Sequence, residues 1–351
     1  MSVRGGSFDA TMPRTGVVID ERTLAHDTGP GHPERPERVQ VLLSLVQERT
    51  ELKRIPARMA TADELSLVHD GRHVEHVAAT EGLSRYAFDA DTPACADSYG
   101  AARLAAGGLL ALLDDIMAGE VDNGFALVRP PGHHAERVRA MGFCLFNNVA
   151  IAAEYLRRKH GCRRVLVMDW DLHHGNGTQH LFENEPGVLY VSTHQYPYYP
   201  GTGAADEVGA GDGTGFTVNL PFPAGYGNTE YADAFRRVVE PIAHRYEPDF
   251  VLISAGFDCH ARDPLGGMRV TEDGFRLMAR SLLDVARACA GGRCAAVLEG
   301  GYDLVAMRNC VGAVLDELHG VGAALPRFEE QSRASALLAH VRQLQSDRWK
   351  V

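Results

Sequence analysis

The chain has 351 residues, of which 45% are hydrophobic and 23% charged, and its formal net charge is −11. This composition is typical of a globular protein, and the length allows one large domain. The negative net charge argues against nucleic acid as a partner, because its phosphate backbone would be repelled. No run reaches the roughly 18 apolar residues of a membrane span. That observation predicts no membrane partner. The seven cysteines lack Cys-x-x-Cys spacing, which predicts reduced thiols in a cytoplasmic protein.

Short apolar runs alternate with longer helix-type patterns, and no linker rich in Pro, Gly or Ser divides the chain. This alternation predicts one α/β domain over residues 1–351, with a central, mainly parallel sheet flanked by helices. In chain order we predict a flexible segment at 1–14, a strand at Thr15–Asp20, helices at Glu34–Glu48 and Ser98–Ala118, a strand at Phe125–Val128, a helix at Asn147–His160, strands at Arg164–Met168 and Val188–Ser192, a plain glycine-rich loop at 201–215, a helix at Asn228–Arg245, a strand at Phe250–Ser254, a helix at Thr271–Ala290, a strand at Ala295–Leu298, a helix at Asp303–Leu318 and a helical extension at 319–351.

Four of the predicted strands end in glycine together with chemically capable side chains. In parallel α/β sheets, ligands bind in the crevice beyond the carboxyl ends of the strands. These four segments should therefore meet in one crevice, which we take as the candidate active site. The segments are Arg129–His134, Asp169–His173, Ala255–Asp258 and Glu299–Tyr302.

Three of these side chains form a set that suits a zinc ion. Asp171, His173 and Asp258 offer two carboxylate oxygens and one imidazole nitrogen, and a catalytic zinc usually takes three protein ligands. Asp169 stands at the end of the same strand, where it is better placed to accept a hydrogen bond from an imidazole and orient it.

The adjacent pair His133-His134 predicts proton transfer near neutral pH. The two rings can hold different charges if one faces a carboxylate and the other a neutral amide, and Asp169 and Asn176 supply one of each. The Tyr302 hydroxyl could donate a hydrogen bond to an oxyanion opposite the metal. Together these groups predict metal-assisted hydrolysis.

The motifs, in their order, resemble the zinc-dependent histone deacetylase family, most closely its class II and bacterial histone deacetylase-like amidohydrolase branch. The resemblance implies a single-domain arginase/deacetylase-like fold and an enzyme that removes acetyl or short acyl groups from an amine such as acetyl-lysine. The composition also suggests a bacterial protein. The motifs are Gly31–Arg38, Arg129–His134, Gly142–Asn148, Asp169–Gly177, Pro200–Gly203, Ser254–Asp258 with Asp263–Gly267, and Glu299–Tyr302.

The resemblance implies roles for the residues of the crevice. The second histidine of the pair, His134, matches the general base, with Asn176 behind it. Asp169 matches the carboxylate behind His133, and Tyr302 matches the tyrosine that stabilises the oxyanion. The matches to the zinc ligands are Asp171, His173 and Asp258.

The resemblance also implies residues that hold substrate and a second ion. Phe143 and Tyr199 match the aromatic walls of an acyl-lysine channel, with Tyr199 in place of the more usual Phe and Gly142 beside the first wall. Asp91 matches a rim carboxylate that holds substrate backbone amides, and Leu265 lies where the polyamine-selective branch has Glu. Further matches are Arg38 beside a product-release path, and a structural K⁺ site at Asp169, Asp171, His173, Ser192 and Thr193.

Three alternatives stay open at this point. An acetylpolyamine amidohydrolase would use the same chemistry, although Leu265 favours an acyl-lysine substrate. A binuclear manganese ureohydrolase needs more bridging carboxylates than the single Asp258 of Ser254–Asp258 supplies. A non-catalytic zinc-binding scaffold would not need the intact histidine pair or Tyr302. The physiological substrate and the oligomeric state, including a possible homo-oligomer, are not predicted.

Overall fold

The computed structural model describes residues 12–329 and 332–351, so most of the segment 1–14, for which flexibility is predicted, lies outside the described residues. The strands are β1 (Thr15–Val18), β2 (Lys53–Arg54), β3 (Tyr86–Ala87), β4 (Pro93–Ala94), β5 (Asn123–Ala126), β6 (Val165–Asp169), β7 (Val188–Gln195), β8 (Thr217–Phe222), β9 (Phe250–Ala255) and β10 (Cys294–Leu298). The helices are α1 (Glu37–Gln47), α2 (Ala62–Leu65), α3 (Gly71–Ala78), α4 (Ser98–Met117), α5 (Asn148–Lys159), α6 (Asn176–Phe182), α7 (Asn228–Ala234), α8 (Glu240–Tyr246), α9 (Glu272–Cys289), α10 (Leu304–His319) and α11 (Ser335–Trp349).

Eight strands form one sheet in the order β2-β1-β5-β10-β9-β6-β7-β8, and each neighbouring pair in this sheet is parallel. Strands β3 and β4 form a separate antiparallel pair. The prediction of a central, mainly parallel sheet flanked by helices is therefore confirmed.

The register of the central strands places the chemistry at one edge. Strands β5, β6, β9 and β10 are buried along their whole length, as expected for apolar strands covered by helices on both faces. Asp169, at the end of β6, pairs with Ser254 of β9 on one side and with Ser192 of β7 on the other. The loops that follow β6 and β9 therefore leave the sheet side by side.

The predicted helix Asn228–Arg245 is interrupted in the structure. Helices α7 and α8 are joined by a wider π turn over Phe235–Val239. Pro241, at the start of α8, lacks an N–H and crowds the preceding turn, which explains why the regular helix does not run through this segment.

The prediction omitted strand β8, which lies at the edge of the sheet directly after the glycine-rich loop. Pro221 is tolerated there because an edge strand has one side without a partner strand. Helix α11 lies within the predicted extension 319–351 and packs on this edge: Gln345 Nε2 donates to Thr217 O (2.8 Å) and Trp349 Nε1 donates to Gly215 O (2.7 Å). Among the helices of the described ranges, none is long and apolar enough to cross a membrane.

Candidate metal and catalytic site

A cavity of about 170 Å³ opens at the carboxyl edge of the sheet and contains most of the predicted site residues. The segments that follow β5, β6 and β10 form its inner end. The residues predicted from the sequence that line it are Asp91, His133, His134, Gly142, Phe143, His173, Tyr199, Leu265 and Tyr302, and Pro131, Tyr198 and Gly300 also line it.

Asp171, His173 and Asp258 lie together at the edge of the sheet, with ligand atoms within 4.8 Å of one another, and His173 lines the cavity. His173 Nδ1 lies 3.2 Å from Asp171 Oδ1 and 3.0 Å from Asp258 Oδ2. Burial opposes a charge on His173, but hydrogen bonds to the two carboxylates outweigh it and raise its pKa to about 10. Two buried carboxylates facing each other need positive charge, and this set of one nitrogen and two oxygen donors fits a zinc ion.

Backbone amides and glycines hold the two ligand carboxylates in place. Asp171 Oδ2 accepts a hydrogen bond from Gly300 N (2.8 Å), and Asp258 Oδ1 accepts one from Leu172 N (2.8 Å). A Cβ atom at Gly256 would overlap Asp171 Oδ2, and a Cβ atom at Gly300 would press on both carboxylates. The glycines after β9 and β10 are therefore needed for the close approach of backbone to ligands.

The two histidines of the pair have unequal partners, as predicted. Their ring centroids are 4.0 Å apart; His133 Nδ1 lies 3.0 Å from Asp169 Oδ2, and His134 Nδ1 lies 2.7 Å from Asn176 Oδ1. Burial lowers the pKa of His133, but Asp169 and Asp171 outweigh burial and raise it to about 10. Burial, together with the charges of His133 and His173, holds the pKa of His134 well below its usual range. The two pKa values are therefore shifted in opposite directions, which favours the charged form of His133 and the neutral form of His134.

The predicted potassium residues also lie together. Asp169 Oδ1 accepts from Asp171 N (3.1 Å), and Asp169 is in register with Ser192. Thr193 Oγ1 is buried and has no hydrogen-bond partner among residues 12–329 and 332–351. An oxygen left in that state costs free energy unless a cation or water meets it, and a potassium ion at this position stays a prediction.

Tyr302 lies in the cavity wall on a turn that is held from two sides. The Arg38 guanidinium lies 5.0 Å from the Tyr302 ring centroid, and its Nε donates to Gly301 O (2.7 Å). Asp263 Oδ2 accepts from Tyr302 N (2.6 Å). Burial raises the pKa of the Tyr302 hydroxyl well above its usual range, so this hydroxyl stays protonated and can donate.

The sequence analysis gave no role to Glu299, although this residue joins three of the strand ends. Its Oε2 accepts from Gly132 N (2.6 Å) and His133 N (3.1 Å), and its Oε1 accepts from Ser254 Oγ (2.7 Å). Burial raises the pKa of Glu299 to about 6. A glutamate at the end of an apolar strand, directly before two glycines, was the available signal.

The outer cavity is a channel with aromatic walls. Tyr199 meets the His134 ring edge-on at 5.2 Å, and Tyr198, which the prediction omitted, stacks on His173 at 5.7 Å. The Tyr198 hydroxyl donates to Leu265 O (2.8 Å), which fixes the Leu265 wall. Gly142 has φ +57°, and a Cβ atom there would overlap the His134 ring.

A second group of ligand-type side chains, His260, Glu272 and Cys310, lies outside the cavity. His260 Nδ1 accepts a hydrogen bond from Arg262 N (3.1 Å), so the neutral ring carries its proton on Nε2, which lies 3.6 Å from Glu272 Oε2. Because Nδ1 accepts from Arg262 N and cannot carry the proton instead, a metal on Nε2 would require an imidazolate ring. This group is therefore not assigned to a metal.

Comparison with known proteins gives one family match, two similar proteins and one similar structure. The profile of the histone deacetylase domain matches residues 32–318. Histone deacetylase 15 of Arabidopsis thaliana is 47% identical over 328 residues, which cover 90% of this chain and 58% of the plant protein. Polyamine deacetylase HDAC10 of Homo sapiens is 43% identical over 302 residues, which cover 82% of this chain and 44% of the human protein. A crystal structure of the HDA15 HD domain matches with 43% sequence identity and a TM-score of 0.90. The match covers 96% of this chain and 96% of the crystallised chain.

These findings bear on the length of chain that is compared and on the expected source organism. The chain spans about half the length of the curated relatives that it matches. Both are eukaryotic proteins, so the expectation of a bacterial protein is wrong. That expectation was based on composition, and a globular composition carries little information about the organism.

Proposed function

Because the chain belongs to the histone deacetylase family, we propose that it is a zinc-dependent amidohydrolase that removes acetyl or another short acyl group from an amine. The observation that carries this proposal is the convergence on one cavity of three metal-type ligands, an unequal histidine pair and a buried tyrosine hydroxyl. Each of these groups has a task in the hydrolysis of an amide.

In this proposal the protein groups divide the proton transfers between them. Zinc held by Asp171, His173 and Asp258 would supply a Lewis acid for the amide carbonyl and lower the pKa of a water molecule. His134, neutral and with Nδ1 hydrogen-bonded to Asn176, takes the proton of that water on Nε2 and returns it to the departing amine. Tyr302 donates its hydroxyl hydrogen bond to the oxygen where negative charge develops.

We favour an acyl-lysine side chain as the substrate. Leu265 contributes an apolar wall, fixed by Tyr198, at the channel position where a carboxylate would attract a cationic chain. The channel walls Phe143 and Tyr199 suit an aliphatic chain, and Asp91 at the rim could accept from substrate amides.

An acetylpolyamine is the second candidate, since the human relative is named a polyamine deacetylase. Burial and the neighbouring Asp89 raise the pKa of Asp91, so this pair of rim carboxylates would be stabilised by a cationic substrate. The ratio of kcat/KM for an acetyl-lysine peptide and for an acetylated polyamine decides between the two substrates.

A chelation experiment tests the proposed activity. Hydrolysis of an acetyl-lysine peptide should be lost after complete metal removal and return with zinc, whereas undiminished hydrolysis without metal would contradict the proposal. Metal analysis that finds two manganese ions per chain would instead favour the ureohydrolase alternative. Tyr302→Phe should lower kcat by about 10²–10³. The matched control is Tyr226→Phe, at a hydroxyl that donates to Arg333 O on the exposed surface.

Further expectations stay proposals. A structural potassium ion beside Asp169 is supported by the buried hydroxyl of Thr193. A cytoplasmic location is supported by seven cysteines that are all free. A single domain, a homo-oligomer and a product-release role for Arg38 are predictions that a solution study of the protein can test.

A further inference from the structure

Asn176 is hydrogen-bonded on both sides of its side-chain amide. Its Oδ1 lies 2.7 Å from His134 Nδ1, and its Nδ2 donates to Glu136 Oε1 at 2.5 Å. A carboxylate oxygen accepts hydrogen bonds and does not donate them, so the NH₂ end of the amide has to face Glu136. The carbonyl end is therefore turned toward His134.

The orientation of this amide determines which nitrogen of His134 carries the proton. When Asn176 Oδ1 faces the ring, Nδ1 must donate and holds the proton, and Nε2 has a free lone pair. If the amide were reversed, its NH₂ group would face Nδ1 and the proton would move to Nε2. His134 would then be unable to take a proton on Nε2.

Hydrogen bonds to its backbone N–H and C=O groups hold Glu136 in place. His69 Nε2 accepts from Asn147 N (2.9 Å), so His69 carries its proton on Nδ1 and donates it to Glu136 O (3.0 Å). Glu136 N donates to Arg139 O (2.9 Å), which closes a tight turn. The Glu136 side chain is 18% exposed and also accepts from His180 Nδ1 (2.8 Å) on the solvent side.

The other contacts of the Asn176 NH₂ group are weaker. Nδ2 lies 3.4 Å from His134 O and 3.5 Å from Met141 Sδ. The first is long, and a thioether sulfur is a poor acceptor. The short contact with a carboxylate is charge-assisted and dominates the orientation of the amide.

We propose that Glu136 is a positioning residue, which keeps the proton of His134 on Nδ1 by holding the Asn176 amide in one orientation. This rests on the proposed function of His134 as the base. Glu136 does not line the cavity, and among the described residues its side chain has no hydrogen bond or ion pair with the metal-type ligands, so its effect passes through Asn176.

The kinetic test uses variants that separate an acceptor from a mere space-filling side chain. Glu136→Met removes the acceptor at similar size and should lower kcat about 10-fold to 100-fold with KM unchanged. Glu136→Gln keeps an oxygen that can accept and should stay within about threefold of the wild type. Glu183→Gln, at a carboxylate that pairs with Asn184 instead, is the matched control.

A double variant gives the sharpest result. In Glu136→Met combined with Asn176→Asp, the new carboxylate offers an acceptor to His134 Nδ1 whichever way it is turned, so the orienting role is no longer needed. We expect Glu136→Met to change the kcat of Asn176→Asp by less than about fivefold, because the higher pKa that a carboxylate gives His134 is common to both variants. If Glu136→Met slows Asn176→Asp as much as it slows the wild type, Glu136 only holds its turn together, and the proposal fails.

A spectroscopic readout separates this proposal from the proposed function. In metal-free protein labelled with ¹⁵N-histidine, the ring shifts of His134 should report a proton on Nδ1, and Glu136→Met should produce a mixture of tautomers. An unchanged tautomer in Glu136→Met would overturn the proposal. A wild-type protein that hydrolyses no acylated amine contradicts the proposed function, while this spectroscopic result still decides the role of Glu136.

Discussion

The replacement Gly300→Ala should weaken zinc binding without a large effect on the fold. The added Cβ atom would lie 2.6 Å from Asp171 Oδ2 and closer still to Asp258 Oδ2, so two carboxylates of the metal-type set would have to separate. Overpacking of this kind costs about 1–3 kcal/mol. Since about 1.4 kcal/mol corresponds to a tenfold change in an equilibrium constant, we expect the Kd for zinc to rise about 5-fold to about 150-fold.

The assay is competition for zinc between the metal-free protein and a chromophoric chelator. Gly100→Ala is the matched control, because Gly100 lies inside α4 and a Cβ atom there meets nothing within 4 Å. That control should keep the zinc affinity and gain about 0.5–1 kcal/mol of stability from the lower entropy of its unfolded chain. An unchanged zinc affinity in Gly300→Ala would refute the inference that the two carboxylates hold the metal together.

Three further predictions concern stability. Burial opposes ionisation of Glu34, but Arg129 and Arg38 outweigh burial and lower the Glu34 pKa from 4.5 to about 2. The stabilisation by the ionised carboxylate should be complete above pH 4.5 and lost as the pH falls toward 2. Glu34→Gln should remove this pH dependence and lower the free energy of unfolding, measured by urea titration, by about 3 kcal/mol. Zinc at 100 times its Kd should stabilise the metal-free protein by about 2.7 kcal/mol, seen as a higher Tm, and an unchanged Tm would contradict the assigned site. Trp349→Ala, which removes a buried indole bonded to Gly215 O, should cost about 3–5 kcal/mol, and a cost below about 1 kcal/mol would show that α11 packs only loosely.

The position of the inner site could be predicted from the sequence because a general property of parallel sheets determines it. Polar residues that follow apolar parallel strands must meet at the carboxyl edge of the sheet, and Asp171, His173, Asp258 and the histidine pair do so. The unequal partners of His133 and His134, a carboxylate and an amide, were also predictable from the sequence, and the charges that they imply stay a prediction. These inferences needed no knowledge of side-chain packing.

The residues to which the prediction gave no role act through contacts distant along the chain. Asp263 holds the Tyr302 turn, Tyr198 fixes Leu265 through a backbone carbonyl, and Glu136 reaches Asn176 from 40 positions away. Each has an ordinary sequence context, because an isolated acidic or aromatic residue in a loop is common. Strand β8 was omitted for a different reason: the glycine-rich loop before it has no regular pattern, and Pro221 reads as a strand breaker.

Both edges of the sheet are closed to strand addition in the part of the chain that the structure describes. At one edge, α11 covers β8, and the Gln345 side chain donates a hydrogen bond to the carbonyl oxygen of Thr217. At the other edge, β2 is two residues long and presents the charged, exposed side chains of Lys53 and Arg54, which discourage pairing with another chain. If the protein self-associates, it should do so through helices or loops, and loss of α11 should instead favour aggregation through the uncovered edge.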